Sequence, residues 1–179
     1  MVYKGGMGQK MIIISPLDAA EGALARHPRA HVCGLLGPEM PHPALPVAEA
    51  CRLRLNFHDV AAPAAGLKAA RPEDAAAIIT FARRWRGDDT SGVLMFHCWA
   101  GISRSTAAAF MVRCALEPER DEAAIARELR DLAPWATPNP LLVSLADDLL
   151  GRNGRMRAAI AAIGRGRDAF QGEVTKWAL

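Results

Sequence analysis

Residues 93–106, Val-Leu-Met-Phe-His-Cys-Trp-Ala-Gly-Ile-Ser-Arg-Ser-Thr, constrain the fold more than any other stretch of this chain. Val93 to Phe96 is apolar throughout, as a short strand covered on both faces must be. An alanine-rich helix is predicted over residues 103–116, with Pro118 stopping it. A turn between such a strand and such a helix aims successive backbone N–H groups at one spot. The helix N-terminus adds the positive end of its dipole, which makes an anion site. Gly101 allows the tight path that this turn requires.

The rest of the chain reads as partners for that unit. Residues 11–14 form a first β-branched strand closed by Ser15-Pro16, and Asp18 is expected to cap a helix running to about Ala25. Residues 30–36 and 51–57 give two further strands, separated by a proline-rich loop over 37–46. Residues 72–86 carry apolar side chains at 75, 78, 79, 82 and 85, a helical spacing with Pro72 in the first turn. Beyond Cys98 the pattern is all helical, with segments at 122–133, 140–150 and 156–163 broken by Gly151 and Gly154. The expected fold is therefore α/β: one domain, a central mostly parallel sheet flanked by helices, and an all-helical C-terminal half. Residues 1–10 read as a flexible leader, and 11–179 as the domain.

Bulk properties exclude several classes. The 179 residues are 51% hydrophobic and 23% charged, which suits one globular domain rather than a disordered chain. A net charge of +3, with arginines spread over several segments, lacks the basic blocks of a nucleic-acid binder. No apolar run approaches the length of a membrane span, and residues 11–14 are too short for a secretory core, so a cytoplasmic location is expected. Cys33, Cys51, Cys98 and Cys114 are widely spaced without a Cys-x-x-Cys pair, so free thiols are expected. The histidines are scattered without ligand spacing, so neither a metal nor a cofactor is expected.

Within the turn, Cys98 lies among N–H donors and a helix dipole, which favour thiolate over thiol and so make a nucleophile. Arg104 follows six positions later, and its planar guanidinium can grip two phosphoryl oxygens at once. Ser105 places a hydroxyl near the sulfur. The alternative reading is a buried cysteine at a strand end beside a solvated arginine.

His97-Cys98-x5-Arg104-Ser105 resembles the HCx5R(S/T) signature of the protein tyrosine phosphatase superfamily. The chain length and helical C-terminal half resemble its compact dual-specificity branch, of the bacterial type. The resemblance implies a phosphotyrosine protein phosphatase-like fold and a cysteinyl-phosphate intermediate. It implies that Cys98 attacks phosphorus, Arg104 holds the phosphoryl group, and Ser105 helps the thiolate leave. The backbone of Trp99, Ala100, Gly101, Ile102, Ser103 and Arg104 would bind the phosphate oxygens. His97 would hydrogen-bond the loop backbone. Asn139 would support the loop from Pro138-Asn139-Pro140, although an N-cap with Pro140 at the first helical position explains it as well. Relatives that act on inositol lipids often carry lysines in this loop. Trp99, Ala100, Ile102 and Ser103 are uncharged, which favours a phosphotyrosine protein or a small phosphomonoester. Trp99 either borders the pocket or packs.

An acid is still needed, because protonating the leaving oxygen speeds such reactions by about 10²–10⁴-fold. Asp59 is the candidate: it follows a strand end, at the sheet edge expected to hold Cys98, and precedes the small-residue loop 61–65. Asp74 is explained by the first turn of its helix, and Asp88 and Asp89 by turn chemistry. His58 reads as solvated or packed. Two other classes share these residues. A catalytically inactive phosphate- or phosphoprotein-binding module would keep the cradle and lack the acid. A thiolate-based sulfurtransferase would not need the Arg-Ser pair, and a reductase would need a second cysteine close to Cys98.

Overall fold

The computed structural model describes residues 9–179. Five strands and six α-helices follow one another as β1 (Met11–Pro16), α1 (Ala20–Leu24), β2 (His31–Leu36), β3 (Arg52–Asn56), α2 (Pro72–Arg86), β4 (Val93–Cys98), α3 (Arg104–Leu116), α4 (Glu122–Leu132), α5 (Pro140–Leu149), α6 (Arg155–Ile163) and β5 (Thr175–Ala178). The sheet order is β3-β2-β4-β1-β5. The first four strands are mutually parallel, and β4 lies at the centre, paired with β1 from Met11↔Val93 to Pro16↔Cys98. The mixed α/β domain with a mostly parallel sheet is thus the architecture expected.

The alternation of side chains along a strand sorts the core into two layers. Ile12, Ile14, Cys33, Leu35, Leu94, Phe96 and Cys98 face α2, α3 and the later helices. Ile13, Val32, Val93 and Met95 face α1 and Leu45 of the proline-rich loop. Helix α3 is enclosed on all sides, from Arg104 to Cys114, which explains its run of small alanines. Because β4 is central, its C-terminal end and the start of α3 are held from both sides.

Three expectations are corrected. Asp18 does not cap α1: the N-cap is Ala19, without a side-chain bond, and the Asp18 carboxylate accepts from Gln171 instead. The C-terminal half is helical only to Ile163. Residues 164–174 then cross back over the sheet end, and β5 adds antiparallel to the β1 edge, with Met11 opposite Ala178. Of the expected leader, residues 1–8 lie outside the described residues, but Lys10 belongs to the fold. Its ammonium donates to the carbonyls of Trp85, Asp88 and Ser91. Among the described residues, no helix is long and apolar enough to cross a membrane.

Candidate active site

The loop between β4 and α3 is shaped by where its carbonyls go. The Trp99 carbonyl accepts from Leu17 N–H, Ala100 from Gly172, Ile102 from Thr137 and Ser103 from Asn139, at 2.8–3.3 Å. The Thr106 hydroxyl adds bonds to the carbonyls of Ile102 and Ser103 at 2.6 and 2.9 Å. Three separate segments, around residues 17, 137–139 and 172, together with Thr106 of α3 therefore engage the acceptors. Among the described residues, the N–H groups of residues 100–103 donate to no protein acceptor. Donors left without a protein partner in one turn at a helix N-terminus can bind an anion, and the turn is called the cradle below. Gly101 makes the arc possible, with φ of +70° and a hypothetical Cβ only 2.7 Å from Pro16 N.

Cys98 ends β4 at the base of this arc, 2% exposed. Its Sγ lies 3.2 Å from Ser105 Oγ, itself fully buried in the first turn of α3. Arg104 is 6% exposed and donates from Nη1 to the Phe57 carbonyl at 2.9 Å. That bond ties the arginine to the segment just after β3. Its Nε is buried without a hydrogen-bond partner.

Asp59 is brought to the same place. Its Oδ1 accepts from Ser103 Oγ at 2.7 Å and from Asn139 Nδ2 at 2.8 Å, and its Oδ2 lies 3.6 Å from Arg104 Nε. The carboxyl is 35% exposed and borders a cleft with Ile102, Ser103 and Asn139. Just before it, His58 Nδ1 accepts from Lys68 N–H while the His58 backbone N–H donates to the Lys68 carbonyl, closing the loop that carries Asp59. His58 is structural. The rival carboxylates are elsewhere: Asp74 accepts from Arg71 N–H at the start of α2, and Asp88 pairs with Thr90 at the opposite end of β4.

The Asn139 side chain is an N-cap and also reaches Asp59, while only its backbone N–H meets the loop, at the Ser103 carbonyl. Its Oδ1 caps α5 by accepting from Leu142 N–H at 2.9 Å, while Nδ2 holds Asp59 and the Val60 carbonyl. His97 departs from expectation. It alternates with Cys98 along β4, so its ring lies on the other face of the sheet, 6.4 Å from the His42 ring and against Gly34. Its Nδ1 has no partner, and burial, with His42 and Arg52 adding to it, pushes its pKa down to about 4. A neutral ring there packs behind the loop and does not bond its backbone. Trp99 is half-exposed and meets Phe170 edge-to-face, at 5.8 Å between centroids.

Sequence patterns did not reveal three contributors: the Phe57 carbonyl, the Ser103 hydroxyl on Asp59, and the crossing segment with Phe170 and Gln171. All three depend on long-range approach, which no local pattern encodes.

Solved structures with the same architecture include human DUSP28, with 20% identity, a TM-score of 0.58 and coverage of 79% of this chain and 92% of that one. DUSP15 gives 18% identity, a TM-score of 0.60 and coverage of 84% and 90%. The Yvh1 phosphatase domain from Chaetomium thermophilum gives 17%, 0.60, and 86% and 96%. The chain has the dual-specificity phosphatase fold. No protein-family model and no curated protein sequence matches it. Within this fold, β4, the loop and α3 form a continuous strand–cradle–helix unit, and Asp59 and Asn139 approach it from the β3 side.

Proposed function

We propose that the chain is a phosphomonoester hydrolase of the protein tyrosine or dual-specificity type, working through a cysteinyl-phosphate and without a metal. The observation that carries this reading is the cradle itself. Between Cys98 and the buried Arg104 run four successive N–H groups, those of residues 100–103, without a protein acceptor, and Ser105 Oγ lies 3.2 Å from the sulfur.

The chemistry follows from these groups. The Cys98 thiolate attacks phosphorus, and the P–S bond forms as the ester P–O bond breaks. Asp59, as the acid, gives its proton to the departing oxygen. Arg104 and the amides compensate charge on the phosphoryl oxygens throughout, a role served by fixed dipoles that need not reorganise. Water then attacks phosphorus while Asp59 takes its proton, the P–S bond breaks, and Ser105 steadies the returning thiolate. The uncharged Trp99, Ala100, Ile102 and Ser103 favour a single phosphomonoester over a multiply phosphorylated headgroup.

A reductase that used Cys33 or Cys114 as its resolving thiol is disfavoured. Complete burial pushes the Cys33 thiol well above its ordinary range, and burial together with Glu122 pushes Cys114 up to about 12. Such thiols stay protonated and are poor resolving partners.

The test is hydrolysis of p-nitrophenyl phosphate in chelator, with orthovanadate as inhibitor. Turnover is expected without added metal, and Cys98→Ser should abolish it together with the alkali-stable, acid-labile covalent phosphate trapped from wild type by a denaturing quench. Turnover that needs a metal, or that survives Cys98→Ser, would overturn the mechanism. Phosphate binding without any turnover would point to the inactive binding module.

A further inference from the structure

On the β1 side of the cradle lies a cleft of about 290 Å³ lined by Leu17, Asp18, Trp99, Ala100, Phe170 and Gln171. Trp99 and Ala100 belong to the phosphate loop, so the cleft opens directly beside the cradle. Its outer wall is supplied by residues 164–174, which cross from α6 to β5. Trp99 is 51% exposed and Phe170 is 83% exposed. Two large aromatic rings left in water beside a reactive loop mark a recognition surface.

The crossing segment is seated firmly. Gly172 N–H donates to the Ala100 carbonyl at 2.8 Å, Gln171 Nε2 to Asp18 Oδ1 at 2.6 Å, and Arg167 N–H to the Pro134 carbonyl at 2.8 Å. At Gly166 and Gly172 there is no room for a Cβ, because the Trp135 backbone and indole fill the space. Phe170 is therefore presented between fixed points, while its ring packs against little besides Trp99.

We infer that Trp99 and Phe170, with residues 164–174 as the supporting strap, form a subsite for the aryl ring of an aryl phosphomonoester. The inference rests on reading the loop as a phosphate cradle. The two rings meet at 76°, so a flat ring stacked on one presents itself edge-on to the other, and both arrangements are favourable for aromatic pairs. Leu17 and Ala100 complete an apolar lining. The charged residue in that lining is Asp18, whose carboxylate repels a second phosphate or an acidic flank and tolerates a neutral or basic one. An aryl monoester fits these walls; a polyphosphorylated headgroup does not.

Calorimetric titration of the full chain with 2-naphthylphosphonate and with inorganic phosphate tests this without requiring turnover. Phe170→Ala should weaken the aryl ligand about tenfold, the scale of one aromatic contact, and leave inorganic phosphate unchanged. Phe170→Tyr should restore wild-type affinity. Because Phe170 is almost fully exposed, its replacement does not threaten folding. Equal affinity of wild type and Phe170→Ala for the aryl ligand, with phosphate binding intact, overturns the subsite and leaves the phosphatase reading standing. A wild-type chain that binds neither ligand overturns the cradle and the subsite with it.

Discussion

Asn139 and Asp59, 80 residues apart, are joined by a single hydrogen bond of 2.8 Å from Nδ2 to Oδ1. The other end of the same amide caps α5 through Leu142. One side chain therefore fixes a helix start and the carboxyl that faces Arg104. The two jobs are separable by substitution. Asn139→Ser keeps a good cap but cannot reach Asp59, so urea stability should hold while kcat for aryl phosphates falls about 10–100-fold, the scale of a misplaced catalytic group. Asn139→Ala should lose about 1 kcal/mol in addition. If Asn139→Ser retained both wild-type kcat and its dependence on leaving-group basicity, Asn139 would be a cap alone.

The Asp59 carboxyl is anchored by Ser103 and Asn139 rather than left swinging on its loop. An acid so placed matters most when the leaving oxygen is basic. Asp59→Asn should cut kcat for phosphotyrosine by about 10²–10⁴-fold. The loss for p-nitrophenyl phosphate should be much smaller, because nitrophenolate leaves without a proton. Equal losses for the two substrates would assign Asp59 to binding, and no loss for either would remove it from the mechanism.

The parts legible in the sequence were those written in short-range pattern. The strand at 93–96, the helix at 72–86 and the turn carrying Cys98, Gly101 and Arg104 each declare themselves through periodicity or local chemistry, and the structure places them so. Asp59 and Asn139 were legible as candidates through their positions at element ends. Their mutual bond was not, because nothing local to residue 59 depends on residue 139. Strand β5 was hidden for the same reason: four residues carry too little alternation, and its identity comes from the free edge of β1 and from Arg113, whose guanidinium stacks 4.7 Å from the Trp177 ring. The face of His97 was not legible, because the motif names a residue while the strand's alternation decides which face it occupies.

That face has a consequence for pH dependence. Buried His97 has its pKa lowered to about 4, chiefly by desolvation, against an ordinary value of 6.5. Burial lowers His31 and His42 in the same direction. Above pH 6.5 these rings are neutral folded or unfolded, and the stability they allow is fully present. As pH falls from 6.5 towards 4 the unfolded chain binds protons that the folded chain refuses, so stability falls. Each such site contributes at most about 1.4 kcal/mol per pH unit. Urea midpoints should therefore drop between pH 7 and 5, before most carboxylates titrate, and His97→Asn should reduce the slope by up to one proton. An unchanged slope in His97→Asn would mean that the ring is protonated where it lies.

Asp147 gives the sharpest stability prediction. It is fully buried on α5, yet three N–H groups at the start of α6 converge on it: Gly154 at 2.6 Å, Met156 at 2.7 Å and Arg157 at 3.1 Å. Gly154, the residue at the N-cap of α6, adopts φ of +88° and offers no side-chain acceptor. The carboxylate thus performs from the preceding helix what a local cap would do, and it meets the positive end of the α6 dipole. Asp147→Ala leaves those donors without an acceptor where water has little access, at a cost of about 2–4 kcal/mol. Asp147→Asn keeps an oxygen but loses the charge, and should cost about half as much. Because α6 leads into residues 164–174, hydrogen exchange should quicken first in α6 and that crossing segment, with the β4–α3 unit still protected. A loss below about 0.5 kcal/mol in Asp147→Ala would show that solvent reaches the α6 terminus and replaces the carboxylate.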